Sequence, residues 1–199
     1  MVVTKKATSS DIESIVRIHI SAFPDFFLTT LGEDFLKTYY SCFVKSTDGI
    51  VLCAENEGEV VGFSASAIHC KGFNSNLIKK NLGCFGWLSF KMLFTSPKSL
   101  IRLVKNLTKK SAEVDDKEDY AELYSIGVAK GQQGFGIGKQ LLAETEKVLR
   151  ELEVGKVSLT TDYYDNAATL HFYQSMKYEV LYEFVTYPDR RMYRLIKDL

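Results

Sequence analysis

Gly134, Gly136 and Gly138 fall within five residues, between a strand-like run ending at Val128 and a helical pattern that begins near Ile137. Glycine at such a turn permits positive φ and lets a ligand approach the main chain closely. The first N–H groups of a helix lack intrahelical partners and lie at the positive end of its dipole. The two features together make a phosphate cradle. Two phosphate-binding motifs do not fit. A Walker A loop ending at Gly138-Lys139 would need glycine where Gln133 stands and Ser or Thr where Gln140 stands. The G-x-G-x-x-G fingerprint meets Lys139 counted from Gly134, and Leu141 counted from Gly136.

Other chemistry is thinly represented. Cys42, Cys53, Cys70 and Cys84 form no C-x-x-C pair and read as reduced thiols, mostly in the core. His19, His69 and His171 have no metal-ligand spacing, so no metal is expected. No G-x-S-x-G elbow is present and no cysteine sits in a recognisable nucleophile motif.

The elements that must position the glycine turn follow from periodicity. Val2–Lys6 reads as a strand. Thr8-Ser9-Ser10-Asp11 caps a helix carrying Ile12, Ile15, Val16 and Ile18, and Phe23-Pro24-Asp25 ends it. A second helix is expected from Thr29 to Lys45. Ile50–Ala54 and Val60–Ile68 form a hairpin around Asn56-Glu57-Gly58. Tyr120–Val128 is a strand. The helix after the glycines presents Ile137, Leu141, Leu142, Thr145, Val148, Leu149 and Leu152 on one face and closes at Gly155. Lys156–Thr161 is a strand, and Asp165 or Asn166 caps a short helix through Phe172 and Tyr173. Strands at Tyr178–Tyr187 and Arg191–Ile196 flank a turn at Pro188-Asp189.

The chain has 199 residues, enough for one domain with an insertion. Its 25 basic and 25 acidic side chains balance, which argues against a dedicated nucleic-acid binder. No apolar leader and no spanning helix are visible, so a cytoplasmic location is expected. The charge is unevenly placed. Residues 71–110 carry nine lysines and arginines and no acid, so the remainder sums to minus nine. Apolar residues interleave with these charges, and the segment reads as two basic amphipathic helices, the second starting at Ser96-Pro97. An acidic stretch follows at 113–119.

The glycine turn resembles the acetyl-CoA motif of the GCN5-related N-acetyltransferase (GNAT) superfamily, Gln/Arg-x-x-Gly-x-Gly/Ala. It reads here Gln133-Gly134-Phe135-Gly136-Ile137-Gly138. A second family segment sets Asn some seven residues before an aromatic-Tyr pair, here Asn166 and Phe172-Tyr173. Two positions depart from the usual pattern, Thr169 where Ala is common and Lys177 where Gly is common. The order of elements agrees along nearly the whole chain outside about 71–118. The resemblance implies one α/β domain over 1–199. Its single mixed, mostly antiparallel sheet would be flanked by helices, with a helical insertion at about 71–118 between the third and fourth strands.

It implies direct acetyl transfer from acetyl-CoA to a primary amine; the acceptor is expected to be a small molecule, an amino sugar being one candidate. A protein or peptide amine, or a non-catalytic acyl-CoA-binding regulatory module, are the rival readings. The fourth and fifth strands should splay, with Ile126 and Val128 holding pantetheine through their main chains. A backbone N–H near Val128 should polarise the thioester carbonyl. N–H groups from Gln133 through Lys139 should bind pyrophosphate, and Asn166 the pantetheine arm. Tyr173 is the expected general acid. Glu122 is the candidate general base, since simple alternation sets it on the face of Val128 unless a bulge intervenes. The basic insertion has several readings: plain packing, a wall guiding an anionic acceptor, peripheral contact with an anionic membrane, or pairing with an acidic protein surface. Family members often form homodimers.

Overall fold

The computed structural model describes residues 1–95, 116, 117, 119–186 and 189–199. Its centre is a seven-stranded sheet in the order β1-β2-β3-β4-β5-β7-β6. The strands are β1 (Val3–Lys6), β2 (Gly49–Asn56), β3 (Glu59–Ala67), β4 (Ala121–Val128), β5 (Lys156–Asp162), β6 (Glu179–Thr186) and β7 (Arg190–Asp198). Every neighbouring pair is antiparallel except β4–β5, which is parallel. This is the mixed, mostly antiparallel sheet expected, with helices inserted between β3 and β4.

Both faces of the sheet are covered, so its central strands are buried runs rather than alternating ones. One face carries α1 (Ile12–Ala22), α2 (Phe27–Thr30), α3 (Glu33–Lys45), α4 (Phe73–Lys80) and α5 (Leu82–Thr95). The other carries α6 (Ile137–Glu151) and α7 (Ala167–Ser175). Along β2 the side chains divide between the layers: Val51 and Cys53 join the α1/α3 core, Ile50, Leu52 and Ala54 the α6 core. Thr145 of α6 bonds Ser64 of β3 across the second layer at 2.8 Å.

Several boundaries differ from the sequence reading, each for a local reason. The helix expected over Thr29–Lys45 is two, because Gly32 takes φ +95° and restarts the chain as the cap of α3. Glu33 and Asp34 then occupy the first turn, where the helix dipole favours acids. The first insertion helix is also divided: α4 ends at Asn81, whose side chain bonds the Leu77 carbonyl at 2.8 Å, before α5 begins. The helix expected from Ser96-Pro97 lies outside the described residues, as does Pro188. Gly155 does not close α6; the left-handed residue that ends it is Glu153, at φ 60°. The β2–β3 hairpin turns at Glu57-Gly58 with φ of 53° and 84°, as its sequence requires. Among the described residues, no helix is long and apolar enough to cross a membrane.

Candidate active site

The parallel pairing of β4 with β5 stops early. It runs through Ala121↔Val157, Glu122↔Ser158 and Leu123↔Leu159 and goes no further. β4 continues beside β3 to Val128↔Gly62, and β5 continues beside β7 to Asp162↔Met192. Beyond Leu123 the two strands therefore diverge while each stays anchored on its outer side. The cause is visible in the β3–β4 register, which steps from Ala65↔Ser125 to Ser66↔Leu123. Tyr124 is the extra residue, and a bulge bends the strand that contains it. The facing edges of β4 and β5 then present main-chain donors and acceptors to a cleft of about 790 Å³ rather than to each other.

The glycine turn closes one end of this cleft. Gly134 and Gly136 stand at φ +85° and +80°, and a Cβ added at either would meet no atom within 4 Å. Their conformation thus demands glycine, while the space beside them stays open. Gly136 caps α6, and the first helical bond it accepts comes from Gln140 at 3.0 Å. The amides of Ile137, Gly138 and Lys139 precede that bond and have no intrahelical acceptor. Gly138 is spared a positive φ; a Cβ there would touch the Phe172 ring at 3.7 Å. Gln133 ties the turn back to the strand, its Nε2 donating to the Val128 carbonyl at 3.3 Å.

Ile126, Val128, Gln133, Gly134, Gly138, Asn166 and Tyr173 all line this one cleft. Asn166 caps α7 and donates through Nδ2 to Thr161 Oγ1 at 2.6 Å and to the Asp162 carbonyl at 2.8 Å, pinning α7 to the end of β5. Tyr173 is buried, with its ring against Phe172 and Tyr178 at centroid distances of 5.1 and 5.7 Å. Burial pushes its phenol above the usual tyrosine range, so the group stays protonated. The remaining turn residues do not line the cleft with side chains: Phe135 is exposed, Ile137 is buried in the α6 core and Lys139 points to solvent.

Glu122 lies apart from these residues. The bulge at Tyr124 breaks the alternation, so Glu122 does not share a face with Val128, which packs on the α6 side. It lines a neighbouring pocket of about 380 Å³ with Cys70, Asn74, Ser75, Tyr124, Thr160 and Arg194. Tyr124 and Thr160 also line the larger cleft, so the two cavities meet there. Both Glu122 oxygens accept hydrogen bonds, one from Arg194 Nη1 and one from Cys70 Sγ, each at 2.8 Å. Burial opposes the Arg194 charge, but Glu122 and the phenols of Tyr120 and Tyr182 outweigh it and raise the arginine above its ordinary value. Burial, and then the Glu122 charge, likewise push the Tyr124 phenol up.

Sequence reasoning missed Tyr124, Cys70 and Arg194. Arg194 did carry a signal: it alternates with Met192 along a strand whose other face is core, and a cation at an inward position needs a partner. A second missed feature spans the cleft mouth. Arg190 pairs with Asp162 at 2.5 Å through both nitrogens and lies 4.4 Å over the Phe26 ring, linking the α1–α2 connection to β5 and β7. Among the described residues, no group of three His, Cys, Asp or Glu side chains could hold a metal ion.

The sequence matches the acetyltransferase (GNAT) family over residues 12–178. The chain belongs to that family. Comparison with proteins of curated function finds no match. Among solved structures, the ribosomal-protein-S18-alanine N-acetyltransferase from Escherichia coli is similar, with TM-score 0.64 and 14% identity over 100% of this chain and 94% of that one. The PaiA N-acetyltransferase from Thermoplasma acidophilum in complex with coenzyme A has TM-score 0.61 and 13% identity, covering 100% and 99%. A ribosomal-protein-alanine N-acetyltransferase from Brucella melitensis has TM-score 0.63 and 19% identity, covering 99% of each chain. At these identities the likeness is one of fold.

Proposed function

We propose that the chain transfers an acetyl group from acetyl-CoA to the primary amine of a small molecule. The observation that carries this reading is the pair of unpaired strand edges beyond Leu123↔Leu159, which lead from the glycine turn to Tyr173. An extended pantetheine arm can add to such an edge as a further strand does. The residues fit the ligand. Amides from Gln133 through Lys139 suit a pyrophosphate, and the main chain of Ile126 and Val128 suits pantetheine. With its Nδ2 hydrogens engaged by Thr161 and Asp162, Asn166 has only Oδ1 to offer.

Acetyl-CoA supplies an activated thioester whose leaving group is a thiolate. The acceptor nitrogen attacks the carbonyl carbon and the C–S bond breaks. An N–H near Val128 stabilises the carbonyl oxygen as it gains charge. Tyr173 Oη–H gives its proton to the departing sulfur, and the second proton, shed by the nitrogen as the amide forms, restores the phenol. A free alkylamine is charged near neutral pH, with a pKa of roughly 10, and must lose a proton before it attacks. In this reading the acceptor enters by the 380 Å³ pocket, where Glu122 draws the ammonium and takes its proton. Arg194 and Cys70 fix the carboxylate in place. The polar groups of Asn74, Ser75, Thr160 and Thr186 around it suit a small hydroxylated amine such as an amino sugar.

A peptide amine is the second reading, favoured by the two neighbours named as ribosomal-protein alanine acetyltransferases. A CoA-release assay over amines, amino sugars, polyamines and peptides separates the two. Turnover with a small amine supports the proposal; turnover with peptides alone overturns its acceptor. Glu122→Gln tests the base. The expected result is a fall in kcat/KM of about a hundredfold or more that diminishes as pH rises and the amine loses its proton unaided. An unchanged kcat/KM would give the proton to water.

A further inference from the structure

The second helix of the insertion has two unlike faces. On one, Phe85, Leu88 and Met92 are buried against the α3 layer. On the other, Leu82, Trp87 and Phe90 are 63%, 70% and 53% exposed, and Gly83, Cys84 and Gly86 between them are exposed as well. Trp87 and Phe90 stack, with centroids 6.1 Å apart and planes at 26°. From Asn81 through Phe90 there is no charged residue. A solvent-facing helix surface is ordinarily polar, so a contiguous apolar aromatic face of this kind marks an interaction site.

The charge around this face, together with its aromatic rings, identifies what it meets. Lys79 and Lys80, both exposed, end α4 immediately before it, and exposed Lys71 precedes that helix. No acidic residue occurs from Lys71 through Ala112; the acid shown against α5 is Asp34 of α3, whose carboxylate is neutralised by Lys91 at 2.5 Å. Charge alone would also suit an acidic protein patch; the exposed aromatic face is what favours a bilayer. An anionic bilayer attracts cations alone, and it accepts tryptophan at the depth of its headgroups, where an apolar ring and a polar N–H are both satisfied. Exposed Gly83 and Gly86 precede Trp87 and present no side chain beside its ring, which is 70% exposed. We infer that the outer face of α5, with Lys79 and Lys80, is a peripheral docking surface for an anionic lipid membrane. The α4 turn that precedes it supplies Phe73, Asn74 and Ser75 to the smaller pocket, so docking would hold the mouth of that pocket near the bilayer.

Trp87 is the only tryptophan in the chain, so its emission reports on this face directly. The full-length protein is titrated with phosphatidylcholine vesicles, with and without roughly one-third phosphatidylserine, and vesicle-bound protein is measured by sedimentation at about 0.05 M and about 0.5 M salt. The expected result is a blue shift of the emission together with sedimentation, on anionic vesicles at low salt, both lost at high salt. Neutralising both lysines, Lys79→Gln with Lys80→Gln, should weaken partitioning about thirtyfold. Trp87→Ala with Phe90→Ala should abolish it while leaving acetyl-CoA binding unchanged, since neither residue touches the cleft. No sedimentation at low salt overturns the inference, as does sedimentation with unchanged emission. A dimer that shields Trp87 and ignores vesicles gives the face to a second copy and also overturns it. None of these readouts requires turnover, so the inference stands or fails separately from the proposed reaction.

Discussion

At the scale of single residues, Tyr173 makes the sharpest claim. Its ring is held by Phe172 and Tyr178, contacts that a phenylalanine would keep. Tyr173→Phe should therefore lower turnover about 10²- to 10⁴-fold, the range for a lost general acid, with acetyl-CoA affinity and folding preserved. A rate unchanged in this variant would move the proton to solvent, or, if no activity exists to lose, favour a binding module. The pH profile is a second check. An ordinary tyrosine begins to ionise near about pH 9 to 10, whereas burial holds Tyr173 protonated beyond that range. The kcat profile should rise with amine deprotonation and then stay level through about pH 10. A descending limb setting in near about pH 9 would argue against Tyr173 as the acid.

At the scale of elements, the glycine turn and the bulged strand were unequally readable. Gly134, Gly136, Asn166 and Tyr173 lie within two local segments, each short enough to be read as a family motif, and it was the resemblance carried by those two motifs that brought them to one site. The bulge at Tyr124 depends on how β4 registers against β3, whose residues lie about sixty positions away. Glu122 and Arg194 are 72 residues apart and meet only because β4 and β7 both flank β5. No window on the sequence contains that pairing, and simple alternation placed Glu122 on the wrong face. The turn itself is testable. Gly136→Ala pays only the left-handed backbone strain, about 1–2 kcal/mol, because the added Cβ touches nothing. It should lower Tm by only a few degrees while weakening acetyl-CoA binding by about tenfold or more, because the methyl would enter the space we propose for the pyrophosphate. Equal binding to wild type would remove the cradle from that position. Gly49→Ala gives the opposite pattern. Its Cβ would sit 2.5 Å from the Phe43 carbonyl oxygen at the start of β2, far from the cleft. Urea unfolding should show a loss of about 1–3 kcal/mol with acetyl-CoA affinity per folded molecule kept.

At the scale of the whole molecule, stability should carry the signature of one buried imidazole. His19 is enclosed between α1, α3 and β3, its Nδ1 bonded to Tyr40 Oη at 2.7 Å and its Nε2 without a partner among the described residues. Burial lowers its pKa from 6.5 to about 4. Between those values the unfolded chain binds a proton there that the folded chain refuses. The stabilisation is complete above pH 6.5 and is lost as pH falls toward about 4, an effect of about 3 kcal/mol. His19→Gln, less stable at neutral pH, should lie closer to wild type as acid is added; a constant gap in urea unfolding would mean that His19 titrates normally.

The same global view joins the two layers to one purpose. The α1/α3 layer and the α6/α7 layer pack the sheet from both faces, and among the described residues the parallel pair β4–β5 parts between them, beyond Leu123. That place is where the account is most exposed to test. A calorimetric titration of the full-length protein with acetyl-CoA should show saturable binding at one site per chain, with thermal unfolding shifted upward under saturation, about 2.7 kcal/mol of added stability at a hundredfold excess over Kd. Absence of heat together with an unmoved unfolding transition would contradict the claim that the parted strands and their glycine turn receive this thioester.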